Sequence, residues 1–254
     1  MHRQLISHLA HADHPIAAPV SESSLIRLLT RAKLRSGARV LDLGCGEGAW
    51  LIRALNLYPE ATADGVDISE EALTSAAEAG TRLGLGDRLR LHQMPADAFA
   101  AAEPYELVLC VGATHAFGTL AETLDAVRRH LRPGGLALIG ESFWERDPSK
   151  ELHDLLGTGP DDYADLAGTV ARAHDAGYAT VYAHTSTRDE WDDYEWSWTG
   201  TLARWALDHP GPDGDEAMAA ADTHRDMWLN GYRDALGFVT LLLRRTDLLR
   251  RTDR

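Results

Sequence analysis

Two hydrophobic patterns alternate along the first half of the chain. Short runs of consecutive apolar residues suit strands buried on both faces, and apolar residues three or four apart suit amphipathic helices. Stretches at 39–43, 63–67, 88–93, 106–111 and 136–141 predict five strands; the fourth is such a run, Leu107-Val108-Leu109-Cys110-Val111 without a polar break, and the second and third mix apolar with polar residues. Between them the periodicity predicts helices over 50–57, 70–83 and 120–131. Ser69 is placed to cap the second, and Glu70 and Glu71 fall in its first turn, where carboxylates suit the helix dipole. Pro133-Gly134-Gly135 predicts a stop before the fifth strand. Upstream, Leu25, Ile26, Leu28 and Leu29 form a helical stripe behind Ser21, an N-cap residue type. This alternation predicts an α/β fold with a doubly wound parallel sheet.

After Trp144 the rhythm changes. Residues 147–159 are polar and contain glycine. The pattern predicts a helix over 163–176 and a strand over 179–185. A tryptophan-rich block, 191–198, then leads into a helix ending at Leu207. His209-Pro210-Gly211-Pro212-Asp213-Gly214 breaks it. A long helix over 216–236 and a last strand over 238–243 follow.

The candidate chemistry centres on Asp42-Leu43-Gly44-Cys45-Gly46-Glu47-Gly48. A buried strand here enters a glycine-rich turn and then a helix. Glycine lets the backbone approach a ligand closely, and a helix N-terminus offers free N–H groups. A second strand ends in Asp67, 25 positions after Asp42. That is the layout of a nucleoside-cofactor site at the carboxyl ends of parallel strands. Gly44-Cys45-Gly46-Glu47-Gly48-Ala49 also fits the relaxed dinucleotide fingerprint, so NAD and an oxidoreductase form the rival reading.

Asp42-x-Gly44-x-Gly46-x-Gly48, Gly65-Val66-Asp67-Ile68-Ser69, Ala96-Asp97-Ala98 and Pro133-Gly134-Gly135 stand in that order. Together they resemble the motifs of class I S-adenosylmethionine (SAM)-dependent methyltransferases. The resemblance is close over 39–144 and looser to 244. It implies a Rossmann-like seven-stranded sheet, mostly parallel, whose last strands form an antiparallel hairpin, with helical cap elements. The whole chain then reads as one domain: an N-terminal helical lid (1–34), a SAM-binding core (35–146), and a C-terminal part (147–254) with a helical insertion at 189–236. The block Tyr194-Glu195-Trp196-Ser197-Trp198 resembles a segment of bacterial members of the family.

The resemblance implies a cofactor, SAM, leaving as S-adenosylhomocysteine (SAH), and cofactor contacts at Asp42, Gly44, Cys45, Gly46, Gly48, Asp67, Ile68, Ala96, Asp97, Ala98 and Val111. Asp67 would accept hydrogen bonds from both ribose hydroxyls, and Asp97 would meet the adenine amino group. Asp42 has a second reading as a buried acid bonding the turn. His115, just beyond the fourth strand, is the first catalytic candidate, because imidazole suits proton transfer near neutrality. It can equally cap the next helix or stack on the adenosine. Glu141, at the end of strand five, is the second, and can instead anchor a loop. Trp144 and Trp196, with His115, are candidates to line an acceptor pocket by stacking or cation–π contact. Tryptophans in this half can also be core. Glu195, Arg225, Arg233 and Tyr232 could form a buried network or stay on helix surfaces.

Composition narrows the acceptor. The formal net charge of −14 argues against nucleic acid as a partner. The sequence where amino-methylating members carry Asn/Asp-Pro-Pro-Tyr reads Cys110-Val111-Gly112-Ala113 here, which points away from bases and glutamine. The expectation is O- or N-methylation of a small molecule, with a non-catalytic ligand-binding protein of the same fold as an alternative. Two cysteines suit a reduced cytoplasmic protein, a monomer or homodimer, with no signal peptide or membrane span. His8, His11, Asp13 and His14 are metal-ligand types, but their spacing matches no metal motif, and no metal is expected.

Overall fold

The computed structural model describes residues 1 and 3–246. Seven strands form one sheet: β1 (Arg39–Leu43), β2 (Thr62–Asp67), β3 (Leu89–Gln93), β4 (Tyr105–Val111), β5 (Leu131–Trp144), β6 (Tyr178–Thr185) and β7 (Leu236–Arg245). Their spatial order is β3-β2-β1-β4-β5-β7-β6. The first five run parallel, and β7 lies antiparallel between β5 and β6. The chain winds outward from β1 to β3, then returns to place β4 on the other side of β1. A crevice opens where the direction reverses, at the carboxyl ends of β1 and β4.

Nine α-helices accompany the sheet among the described residues: α1 (Arg3–Ala10), α2 (Glu22–Ala32), α3 (Ala49–Leu57), α4 (Glu70–Arg82), α5 (Leu120–His130), α6 (Lys150–Leu156), α7 (Leu166–Asp175), α8 (Arg188–Asp208) and α9 (Pro212–Met227). Alternate residues of β4 feed opposite faces of the sheet, which is why its run from Leu107 to Val111 is apolar, while Glu106 at its start pairs with Arg35 and Arg132. Leu107 and Leu109 pack with Leu25, Leu28 and Leu51 of α2 and α3. Val108 and Cys110 pack with Leu120, Leu124 and Val127 of α5. A third, smaller core of Ala10, Leu202, Ala206, Ala217 and Ala221 joins α1 to α8 and α9, which connect β6 to β7.

Several boundaries differ from those the sequence suggests. Pro133-Gly134-Gly135 does not separate helix from strand. β5 already begins at Leu131, which pairs with Tyr105, and the register then slips so that Leu107 meets Leu136. Gly134, at φ +69°, takes up the irregularity. Residues 147–159 hold α6, capped by Ser149. The helix expected from 163 starts at Leu166, because Asp165 caps it through the Gly168 N–H. The helix expected over 216–236 ends at Met227, passes into a wide π turn over Trp228–Tyr232, and Leu236 opens β7. Ser69 and Ser21 cap α4 and α2 as their positions predict.

Candidate active site

β1 runs directly into the glycine turn. Gly44, Gly46 and Gly48 have φ of +87°, +50° and +74°, a region that L side chains rarely enter. Space matters most at Gly44, where a β-carbon would lie 2.3 Å from Cβ of Ala113, two residues beyond β4. The turn hangs on the end of β2. The N–H groups of Gly44 and Cys45 donate to the Val66 carbonyl at 2.8 and 3.0 Å. The Gly46 N–H donates to Oδ2 of Asp67 at 2.8 Å, and the Ser69 N–H donates to Oδ1 at 2.9 Å. Two backbone donors thus fix the Asp67 carboxylate. An ionised carboxylate keeps further lone pairs, which suit a pair of neighbouring hydroxyls. Gly44→Ala should lower the melting temperature by several degrees and reduce SAH binding at least tenfold, through strain at positive φ and collision with Ala113. Unchanged calorimetric affinity would contradict the tight turn.

Above the turn lies a cleft of about 510 Å³. Gly44 and Gly46 form its floor. Asp67, Ile68, Ser69 and Ala96 make one wall, and Val111, Gly112, Ala113 and His115 the other. α1 is the roof. Gln4, Ser7, His8 and His11, three or four residues apart, face the cleft. Ile6, Leu9 and Ala10 face the other way and pack in the small core of α8 and α9. Helical periodicity thereby turns a short polar-apolar segment into a lid. A hollow of similar volume between α4 and β3, lined by Ala77, Gly80, Thr81 and Leu89 among others, contains no ionisable side chain.

Acids sit under and beside the cleft. Asp42 is 2% exposed. Burial, then the Asp67 charge, pushes its pKa up to about 7. Burial likewise raises Glu141 to about 7 against the Ser142 N–H and the Thr114 hydroxyl, and raises the thiols of Cys45 and Cys110. His11 Nδ1–H donates to the Ser7 carbonyl at 2.7 Å, so its Nε2 accepts from the Tyr194 hydroxyl at 3.1 Å. Both nitrogens are engaged in the neutral ring, and burial lowers its pKa.

The structure brings seven of the sequence candidates to the cleft: Gly44, Gly46, Asp67, Ile68, Ala96, Val111 and His115. Asp42, Cys45 and Gly48 belong to the strand and turn beneath. Asp97 and Ala98 complete a single 3-10 turn with Ala96, outside the lining. Glu141 is buried on β5 beside Thr114. Trp144 and Trp196 lie elsewhere. Trp144 is buried edge-on against His153 and Tyr163, at 5.5 and 5.8 Å. Trp196 is half-exposed with its edge on Trp228. Glu195 and Tyr232 do form a buried network, completed by His224, which lies 2.7 Å from Glu195. Arg225 and Arg233 pair instead with Asp222 and Asp192. His8, His11 and His14 go to separate partners: Glu47, Tyr194 and the Ile16 carbonyl. The roof residues Gln4, Ser7, His8 and His11, and Glu47, are the ones sequence reasoning did not assign to the site. The four-residue spacing of Gln4, His8 and His11–Ala12 was the available signal, too short to stand alone.

A family model described as a methyltransferase domain matches residues 41–137. The Escherichia coli protein YjhP, itself uncharacterised, is 30% identical over 81% of this chain and 83% of its own length. A SAM-dependent methyltransferase of Geobacter sulfurreducens, solved with SAH, superposes with a TM-score of 0.87 at 28% identity, covering 94% of this chain and 97% of that one. Trans-aconitate 2-methyltransferase of Azoarcus sp. is 35% identical over 58% of this chain, which spans about half (54%) of that enzyme. The glycine floor, the fixed Asp67 acceptor and the buried Asp42 fit a nucleoside carrying a sulfonium cation. This is the site of a nucleoside-cofactor enzyme of the Rossmann-like class. The chain belongs to the class I SAM-dependent methyltransferases, and the NAD reading gives way to SAM.

Proposed function

We propose that this enzyme methylates an oxygen or nitrogen of a small molecule. The observation that carries the reading is the roof. With α1 over the cleft, its volume of about 510 Å³ is within the range of small-molecule sites, which supports a small acceptor beside the cofactor. The net charge of −14 supports the same restriction. No described helix is long and apolar enough to cross a membrane; the two free cysteines, Cys45 and Cys110, support a cytoplasmic location.

SAM supplies an already activated methyl group, so the chain's main task is alignment. Asp67 holds the ribose, Asp42 and the glycine turn support the methionine portion, and Ala96, on the 3-10 turn that carries Asp97 and Ala98 at the rim, marks the adenine side. The exposed His115 faces the cleft from the β4 side and takes the acceptor proton; Glu141 stands behind it through Thr114. The placement of Trp144 and Trp196 gives an aromatic acceptor cage no support. His115→Ala should slow turnover about a hundredfold, with SAH affinity within about twofold of the native value. Equal losses in both would make His115 a cofactor contact. The test of the whole reading is SAH release from SAM across small phenols, amines and carboxylic acids, beside calorimetry with SAH and NADH. SAH binding without turnover on any acceptor would favour the ligand-binding alternative.

A further inference from the structure

His8 of the roof and Glu47 of the glycine turn meet across the cleft, with Nδ1 of His8 2.9 Å from Oε1 of Glu47. Both side chains are largely shielded, at 26% and 21% exposure, and both line the cleft. The contact is short, yet Nδ1 makes no directed hydrogen bond and is a buried polar atom without one. Burial, only partly offset by His8, raises the Glu47 pKa. A half-buried pair with poor angles is readily exchanged for better partners.

The direction of the cofactor says what those partners are. Asp67 marks the ribose, and Ile68 and Ala96 extend the cleft from it toward β3, the adenine side. The opposite end, past Gly44 and Gly46, reaches Glu47 and His8. An amino-acid terminus there offers one ammonium and one carboxylate, a charge pair that mirrors the protein's own. We infer that His8 and Glu47 form the receptor for the amino-acid end of SAM, His8 donating to its carboxylate and Glu47 accepting from its ammonium. The lid therefore closes on the cofactor by exchanging the internal His8–Glu47 contact for two contacts to the ligand. The inference rests on SAM occupying this cleft.

The test needs no acceptor. Binding of SAH and of 5′-methylthioadenosine, which shares the nucleoside and thioether but lacks the amino acid, is measured by calorimetry on native, His8→Asn and Glu47→Gln proteins. Each substitution should weaken SAH about tenfold or more, the scale of a charge-assisted hydrogen bond, and leave methylthioadenosine within about twofold. An SAH analogue lacking only the α-carboxylate should bind native and His8→Asn protein alike. Retained methylthioadenosine binding also shows that the variants are folded. Equal weakening of both ligands, or unchanged SAH affinity, would overturn the inference. Failure of SAH to bind the native chain would overturn the cofactor placement and the inference with it.

Discussion

Asp67→Ala should lower SAH affinity about a hundredfold while the protein stays folded. The carboxylate does two jobs. It accepts the Gly46 and Ser69 N–H groups, and in the proposed binding mode its remaining lone pairs serve the ribose. Removing it abolishes two charge-assisted bonds to ligand, each about 1.5 kcal/mol or more. It also leaves the Gly46 N–H without its acceptor, so the floor of the cleft loosens. Asp67→Asn separates the effects. The amide retains one acceptor oxygen but not the charge, so it should recover part of the affinity. Calorimetry with SAH reads both, and native-like affinity in Asp67→Ala would remove Asp67 from the site.

Glu190→Gln should destabilise the fold by about 2–4 kcal/mol, the other large effect. Glu190 joins three elements. Its carboxylate accepts from the Ser21 N–H and hydroxyl at 3.1 and 2.5 Å, from the Ser24 hydroxyl at 2.7 Å, from His184 Nε2 at 2.8 Å and from the Thr187 N–H at 2.9 Å. It thus ties the N-cap of α2 to the N-cap of α8 and to the end of β6. Burial alone would raise its pKa, but the hydroxyls of Ser21 and Ser24 and the N–H groups of Thr187 and Ser21 hold it at about 2. The folded pKa lies below the unfolded value near 4.5. The stability Glu190 contributes is therefore full above about pH 5 and is lost as pH falls toward 2. Native and Glu190→Gln proteins should differ in denaturation midpoint at pH 7 and converge near pH 2. A constant difference across that range would show that shape, not charge, is at work.

The legible parts were those with local causes. The glycine turn could be read because positive φ at Gly44, Gly46 and Gly48 demands glycine. The fourth strand could be read because Leu107 to Val111 are buried on both faces of the sheet; its parallel neighbours carry polar residues such as Asp42, Asp64 and His92 and were legible mainly from their alternation with helices. Pro133-Gly134-Gly135 misled because the same residues serve a helix stop and a strand irregularity; pairing of Leu131 with Tyr105 decides between them. Trp144 was assigned to a pocket because it follows strand five, but sequence gives no side-chain direction. In the fold, His153 and Tyr163 enclose it.

By itself, the sequence determined the strand–helix alternation of the first half and the glycine turn after β1, since each depends on neighbours within a few residues or on one repeated spacing. Only the tertiary structure decided which side chains of the N-terminal segment face the cleft, Gln4, Ser7, His8 and His11. His11 meets Tyr194 across 183 positions, and Ser21 meets Glu190 across 169. Such contacts leave no periodic trace in the chain, because they join segments far apart in sequence, as does the packing of the apolar face of α1 on α8 and α9. That packing turns the polar face of α1 toward the glycine turn and sets His8 against Glu47.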